Sequence, residues 1–257
     1  MTVHPQAIVD ASAQLADDVK VGPWTYIGPD VVIDSGTEIM SHVVIKGPTR
    51  IGKNNRIFQF SSVGEECQDK KYAGEPTELI IGDNNVIRES CTIHRGTVQD
   101  TGVTQIGSNN LLMAYVHVAH DCILGNNLIL ANAATLAGHV HVDDWAILGG
   151  GTMVHQFCHI GTHSMCAGGS IVLRDVPAYV MASGQSASAH GLNTEGMKRR
   201  GFSPELISTL KKAYKIVYRQ GLTLQQAIDK IEDELESSSE LDAFMLSIKD
   251  NSRGIVR

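Results

Sequence analysis

The 257-residue chain holds 11 histidines, and eight of them fall between His94 and His163. A neutral imidazole is the natural group to take a proton from a hydroxyl near pH 7. His120 is the leading candidate because Asp121 follows it directly. A carboxylate beside an imidazole can fix its tautomer and stabilise the imidazolium that forms. The backbone N–H of Gly138, with no side chain to obstruct it, could meet an oxyanion. Such a set would let a hydroxyl attack a thioester without a serine or cysteine nucleophile. Taken singly, a histidine on an exposed wall is more often a tolerated surface residue than a functional one. Only a fold that gathers several of them gives the group a shared chemistry.

The elements that could gather them are visible as a period of six. Every sixth residue from Val9 reads Leu15, Val21, Ile27, Ile33, Ile39, Ile45, Ile51, Ile57 and Val63 without a break. Val, Leu and Ile make up about a quarter of the chain, so chance gives such a run about once in a million. The phase resumes at Ile81, Ile87 and Ile93. A shifted phase then runs Ile106, Leu112, Val118, Leu124, Leu130, Leu136, Val142, Leu148, Val154, Ile160, Cys166 and Val172, with Cys166 alone outside the aliphatic rule. A period of six fits neither an amphipathic helix nor a hairpin array. It fits short strands and corners in a solenoid whose coils bury their aliphatics against one another. Glycine after many of these positions (Gly22, Gly28, Gly52, Gly82, Gly107, Gly125, Gly161) suits corners. Two stretches without the period, near 64–80 and 95–105, are expected to protrude as loops.

The repeat stops at Asp175-Val176-Pro177, which places a solenoid domain at 1–188 and an α-helical domain at 189–257. Ser203 with Pro204 marks a helix start, Leu206, Leu210, Ala213 and Val217 share one face, and Gly221 marks a stop. Thr223 with Gln226 has the form of a capping box for a second helix. This tail is expected to cap the open end of the solenoid.

In its period the chain resembles the hexapeptide-repeat acyltransferases. That resemblance implies an all-β left-handed parallel β-helix with three hexads, about 18 residues, per triangular coil. Residues about 18 apart then stack at roughly the 4.8 Å interstrand spacing. His120 comes to lie over Gly138 and Gly138 over Gln156. Asp121 lies over His139 on one side, and Ala119, Ala137 and His155 form the row on the other, joined by His94 if the second loop replaces no hexad. Asn132, Gly150 and Gly168 stack as a lane nearly free of side chains. Such a lane could admit an extended acyl chain, although glycine at corners accounts for it equally well.

Composition bounds the partners. Hydrophobic residues make up 42% of the chain and aromatics only 5%, so small aliphatics must fill the core. Five cysteines are widely spaced without a CxxC pair, which points to reduced structural thiols rather than disulfides or a zinc knuckle. A net charge of -7 argues against nonspecific nucleic-acid binding. No apolar run approaches the length of a membrane span and no leader pattern opens the chain, so a cytoplasmic location without stable membrane insertion is expected.

Several motifs carry a narrower resemblance: Tyr115-Val116-His117-Val118-Ala119-His120-Asp121, Ala137-Gly138-His139-Val140, Val154-His155-Gln156-Phe157, Gln68-Asp69-Lys70-Lys71-Tyr72, Ile93-His94-Arg95-Gly96, and Asn193-Thr194-Glu195-Gly196-Met197-Lys198-Arg199-Arg200-Gly201. These look like the UDP-N-acetylglucosamine O-acyltransferases over nearly the whole chain. The resemblance implies transfer of an (R)-3-hydroxyacyl group from the phosphopantetheine of acyl carrier protein to the 3-hydroxyl of UDP-N-acetylglucosamine, the first step of lipid A synthesis. It implies no other cofactor and no metal, and a homotrimer with sites between subunits. His120 would be the general base, Asp121 its partner and Gly138 the oxyanion donor. Gln68, Asp69, Lys71, His94, His117, His139 and Gln156 would contact donor and acceptor. Asn193, Glu195, Arg199 and Arg200 would bind the nucleotide end, where guanidiniums match phosphate geometry. Lys70 departs from the leucine usual there. Rival readings are the related N-acyltransferase of the same pathway, which carries an additional uridine-binding domain before its repeats, a zinc enzyme of the gamma carbonic anhydrase type, and a purely structural solenoid.

Overall fold

The computed structural model describes residues 2–251 and 253–257. Each hexad contributes a short strand, mostly of two residues, and every third strand pairs in parallel. Three sheets of eleven, nine and eight strands result, the walls of a triangular prism that is a left-handed parallel β-helix followed by helices. In a two-residue strand one side chain points out and the next points in. The inward position is the sixth-residue aliphatic: Ile27, Ile45, Ile57, Leu112, Val118, Leu130 and Leu136 are all fully buried. Each such side chain contributes about 1.5–3 kcal/mol by leaving water. Cys166 takes its place in the same column, and all five cysteines are buried and free.

The repeat glycines prove necessary for a reason other than turn conformation. The left-handed corner positions belong instead to residues such as Asn54, Asn84, Asn109, Asp121 and His139. Gly107 stands just ahead of a corner, where a Cβ would come within 2.5 Å of the Gly125 carbonyl in the next coil. Buried Asn55, Asn85 and Asn110 then tie successive coils together, each side chain accepting an amide N–H and donating to a glycine carbonyl.

Both insertions interrupt the same corner, between the second wall, which carries His117–Val118, and the third, which carries Ile123–Leu124. Strands Ser62–Glu65, Glu78–Ile81, Thr92–His94 and Val103–Ile106 are longer than the repeat suggests, so the loops shrink to 66–77 and 95–102. The first adds roughly two hexads of chain, which leaves the sixfold phase intact while setting Ile81 beside Ile51 on the third wall.

The solenoid ends in an antiparallel hairpin of Val180–Ser183 with Ser188–Leu192, so the chain leaves the sheet after Leu192 rather than at 188. Four helices follow: α1 (Thr194–Arg199), α2 (Pro204–Arg219), α3 (Leu224–Glu234) and α4 (Ser239–Lys249). Ser203 caps α2, with Pro204 at its first position, and the Thr223–Gln226 capping box opens α3. Leu210, Ala213 and Val217 are buried along α2. The chain end returns to the solenoid, where Val256 N–H donates to the Asp175 carbonyl. No helix among the described residues is long and apolar enough to cross a membrane.

Candidate active site

His120 and Asp121 sit at the interrupted corner, directly below the two loops. Asp121 holds a left-handed backbone with φ 57° and is 1% exposed. Its Oδ2 lies 2.8 Å from His120 Nδ1. A carboxylate can only accept, so Nδ1 carries the proton, and in the neutral ring Nε2 keeps its lone pair. Burial works against ionisation of Asp121, but the bonds from His120 and Thr97 outweigh it and hold the carboxyl below its usual range. Gly138 lies under the imidazole: a Cβ there would stand 2.5 Å from His120 Cε1 and 2.6 Å from Nε2. Its N–H meets no backbone acceptor among the described residues. The row expected from the spacing therefore exists, and bare backbone is what allows the ring to lie across it.

His94 stands one residue beyond the Ile93–Val118 pair, beside Ala119, as the stacking implied. Its ring meets His117 edge-on with centroids 5.2 Å apart, and His117 Nδ1 is 2.7 Å from Thr92 Oγ1. Burial, then the neighbouring His117, pushes His94 down to about 4; burial and His120 also lower His117. Both rings are held neutral near pH 7, able to hydrogen-bond polar ligand groups without adding charge. His139 is edge-on to His120 at 5.0 Å and stacks on Phe157 at 4.4 Å. His155 stands apart from this cluster, with Nδ1 3.1 Å from the Gln156 carbonyl, and Gln156 is exposed.

Three residues that the spacing did not single out complete the corner, all from the second insertion or the strand after it. Thr97 donates its N–H to Asp121 Oδ1 at 2.8 Å and its hydroxyl to Oδ2 at 2.6 Å. Asp100 accepts from His139 Nδ1 at 2.8 Å, and Thr104 Oγ1 accepts the Asp121 N–H at 2.8 Å. The first insertion opens over the same corner with Gln68, Asp69, Lys70 and Lys71 all exposed, and Asp69 Oδ1 accepts the Lys71 N–H at 2.9 Å. Buried Arg95 anchors that loop, reaching the Gly47 and Gly64 carbonyls and the Tyr72 hydroxyl. Only its place next to His94 could have marked it in the sequence.

Donor atoms of His120, Asp121 and His139 lie within 4.8 Å of one another, close enough to suggest a metal set. Thr97 N–H on Oδ1, with Thr97 O–H and His120 Nδ1–H on Oδ2, already engages both oxygens of Asp121. A cation would have to break this network, so the donor set fits proton transfer better than metal binding.

Comparison with known proteins decides the lineage. Residues 175–256 match the family model described as UDP N-acetylglucosamine O-acyltransferase, domain 2, and residues 104–138 match the bacterial transferase hexapeptide model of six repeats. An acyl-[acyl-carrier-protein]–UDP-N-acetylglucosamine O-acyltransferase from Stutzerimonas stutzeri is 58% identical, with 99% of each chain covered. The chain belongs to the UDP-N-acetylglucosamine O-acyltransferase family. A Thiobacillus denitrificans member is 56% identical over 100% of this chain and 99% of its own. The solved Acinetobacter baumannii LpxA superposes with a TM-score of 0.98 at 55% identity, covering 100% of both chains. The Arabidopsis UDP-N-acetylglucosamine acyltransferase gives 0.88 at 36% identity, covering 99% of this chain and 100% of its own.

Within this member of the family, the remaining expected residues lie elsewhere on the prism. Asn132, Gly150 and Gly168 do stack, with Gly151 N–H donating to Asn132 O and Gly169 N–H to Gly150 O. Their lane runs down the corner between the first and second walls, one hexad from Gly138 and at most about 20 Å away. Within one chain the lane and the imidazole therefore occupy different corners. Asn193, Glu195, Arg199 and Arg200 lie at the third corner. Asn193 is buried: it caps α1 through Gly196 N–H and donates to the His163 carbonyl. Arg200 lies 4.6 Å over the Trp145 ring, Glu195 pairs with Lys198 at 2.8 Å, and Arg199 is exposed.

His163 stacks on Trp145 and Tyr179 at this corner, and burial, then Arg200, depresses it to about 4. Between pH 4 and 6.5 the unfolded chain therefore binds more protons at this site, and stability rises with pH. His163→Phe should flatten the rise of Tm across that window, on the order of 1 kcal/mol after allowing for solvent contact. His94 and His117 act with the same sign, so some slope remains. An unchanged slope in the variant would show that His163 does not contribute.

Proposed function

We propose that this chain transfers an (R)-3-hydroxyacyl group from acyl carrier protein to the 3-hydroxyl of UDP-N-acetylglucosamine, the first step of lipid A synthesis. The observation that carries the reading is the His120–Asp121–Gly138 arrangement in a chain matched end to end by relatives named for this reaction. His120 Nε2 takes the sugar hydroxyl proton as its oxygen attacks the thioester carbonyl carbon. The Gly138 N–H receives the oxyanion, and collapse expels the thiol, reprotonated from the imidazolium. Neutral His94 and His117, with His139, Gln156, Gln68, Asp69 and Lys71, line the path of donor and acceptor at the same corner. Phosphopantetheine on the carrier is the only prosthetic group required. Reduced buried thiols suit a cytoplasmic enzyme.

The reading extends to a homotrimer, supported by the distribution of the expected site residues over three corners of one prism. A threefold arrangement brings the corner of one prism against a different corner of the next, because the interface of a three-membered ring is heterologous. The glycine lane and the Arg199–Arg200 corner of neighbouring subunits can then meet His120, which no single chain achieves. The N-acyltransferase reading loses ground because relatives 56–58% identical over 99–100% of this chain are named O-acyltransferases.

Incubation with UDP-N-acetylglucosamine and a panel of 3-hydroxyacyl carrier proteins, read by product mass, tests acceptor, donor and chain length together. An ester product on the sugar is expected; absence of any acylated sugar nucleotide refutes the reading. In the same assay Gly168→Met should shift preference to shorter acyl chains by obstructing the lane. Gly168 has an ordinary backbone conformation, and its Cβ would meet only the Gly150 backbone, with the carbonyl oxygen at 3.2 Å and the nitrogen at 3.7 Å, so a small shift of that strand end should accommodate the change. The check is the ratio of rates across the panel, and an unaltered ratio would remove the lane from the mechanism.

A further inference from the structure

We infer that Thr97, carried by the second insertion, is a positioning residue that sets the tautomer of His120 through Asp121. This rests on the acyl-transfer reading above but names a residue outside its motifs. Asp121 alone cannot fix the imidazole, since its carboxylate could rotate and its backbone is held in the left-handed region. Two donors on one residue prevent that rotation. The Thr97 amide takes Oδ1 and the Thr97 hydroxyl takes Oδ2, at 2.8 and 2.6 Å, and both partners are 1% exposed. With both oxygens engaged, the remaining lone pair of Oδ2 is aimed at His120 Nδ1, 2.8 Å away.

The loop that delivers Thr97 is itself braced. Gly96 N–H donates to the Glu78 carbonyl, Glu78 N–H to the Gly102 carbonyl, and Gly102 N–H to the Thr97 carbonyl. A Cβ on Gly96 would lie 2.3 Å from Val103 N, so this close crossing requires glycine at that point. The return strand supplies Thr104 Oγ1 to the Asp121 N–H. An insertion that the repeat pattern marks only as a break thus clamps the catalytic carboxylate from side chain and backbone together. Orienting contacts of this kind commonly contribute about 10–100-fold to activity.

Thr97→Val keeps the branched shape and the amide but loses the hydroxyl donor, while Thr97→Ser keeps the donor. Nitrogen-15 chemical shifts of His120 in the ligand-free protein report the tautomer without reference to turnover. The wild type and Thr97→Ser should show a protonated Nδ1 and a bare Nε2, and Thr97→Val a mixture of tautomers. In steady-state assays Thr97→Val should lose about tenfold or more in kcat with KM for both substrates changed less than about threefold, and Thr97→Ser should recover most of it. A single Nδ1–H tautomer in Thr97→Val with wild-type kcat would overturn the inference, as would equal impairment of the serine and valine variants. A wild type that holds the Nδ1–H tautomer yet acylates no sugar nucleotide would refute the acyl-transfer reading while leaving the positioning role intact.

Discussion

Asp121→Asn should lower kcat by about three to four orders of magnitude while leaving the thermal melt near that of the wild type. The substitution is isosteric, and the amide can bond at all three positions the carboxylate does, two of them with donor and acceptor reversed. Which way it turns is decided by Thr97. A backbone N–H can only donate, so the group facing the Thr97 amide must be the amide oxygen. The NH2 then occupies the Oδ2 position, where the Thr97 hydroxyl can rotate to accept from it. It also faces His120 Nδ1, which must now accept in turn. The proton moves to Nε2, and the nitrogen that should receive the sugar proton already carries one. Nothing here weakens substrate contacts, so KM should move little. Measured kcat within tenfold of the wild type would mean that Asp121 is a structural corner residue and not the tautomer-setting partner of the base.

The core was legible in the sequence because a single physical requirement, one aliphatic per two-residue strand pointing inward, repeats often enough to exceed chance. Val118, Leu136 and Val154 occupy the predicted column, and the same arithmetic placed His120 over Gly138 and Asp121 over His139. Thr97 and Asp100 were not legible. They sit in an insertion whose path depends on backbone crossings at Gly96 and Gly102, and such crossings leave no period. The physical reason for the repeat glycines at the corners is likewise absent from the spacing. Spacing reveals that a side chain is excluded, but not whether torsion or a neighbouring coil excludes it; at Gly107 it is the neighbouring coil. The motif implies a ligand contact for Asn193 but not its structural role, in which burial and bonds to Gly196 and His163 make it the cap that holds α1 against the solenoid. The glycine lane stacks as expected and lies on a different corner from His120, because counting by coil fixes height along the prism and counting by hexad fixes the wall.

His120→Ala should reduce kcat by about two to four orders of magnitude, since the nitrogen proposed to take the proton is gone and a void opens over Gly138. The side chain is an outward corner group that is not part of the aliphatic column, so the fold should survive. Mixing then separates an intrachain site from a shared one. Arg199 is exposed and makes no ion pair among the described residues, so Arg199→Ala removes a contact that only another molecule can use. If each site takes His120 from one subunit and Arg199 from the next, the two variants refolded together should restore about one site in four, since each half is intact with even odds. Activity of the mixture should therefore exceed the sum of the separate variants at equal total protein. A mixture no more active than that sum would place Arg199 outside the shared site, and with it the proposal that the nucleotide end is held by the neighbouring prism.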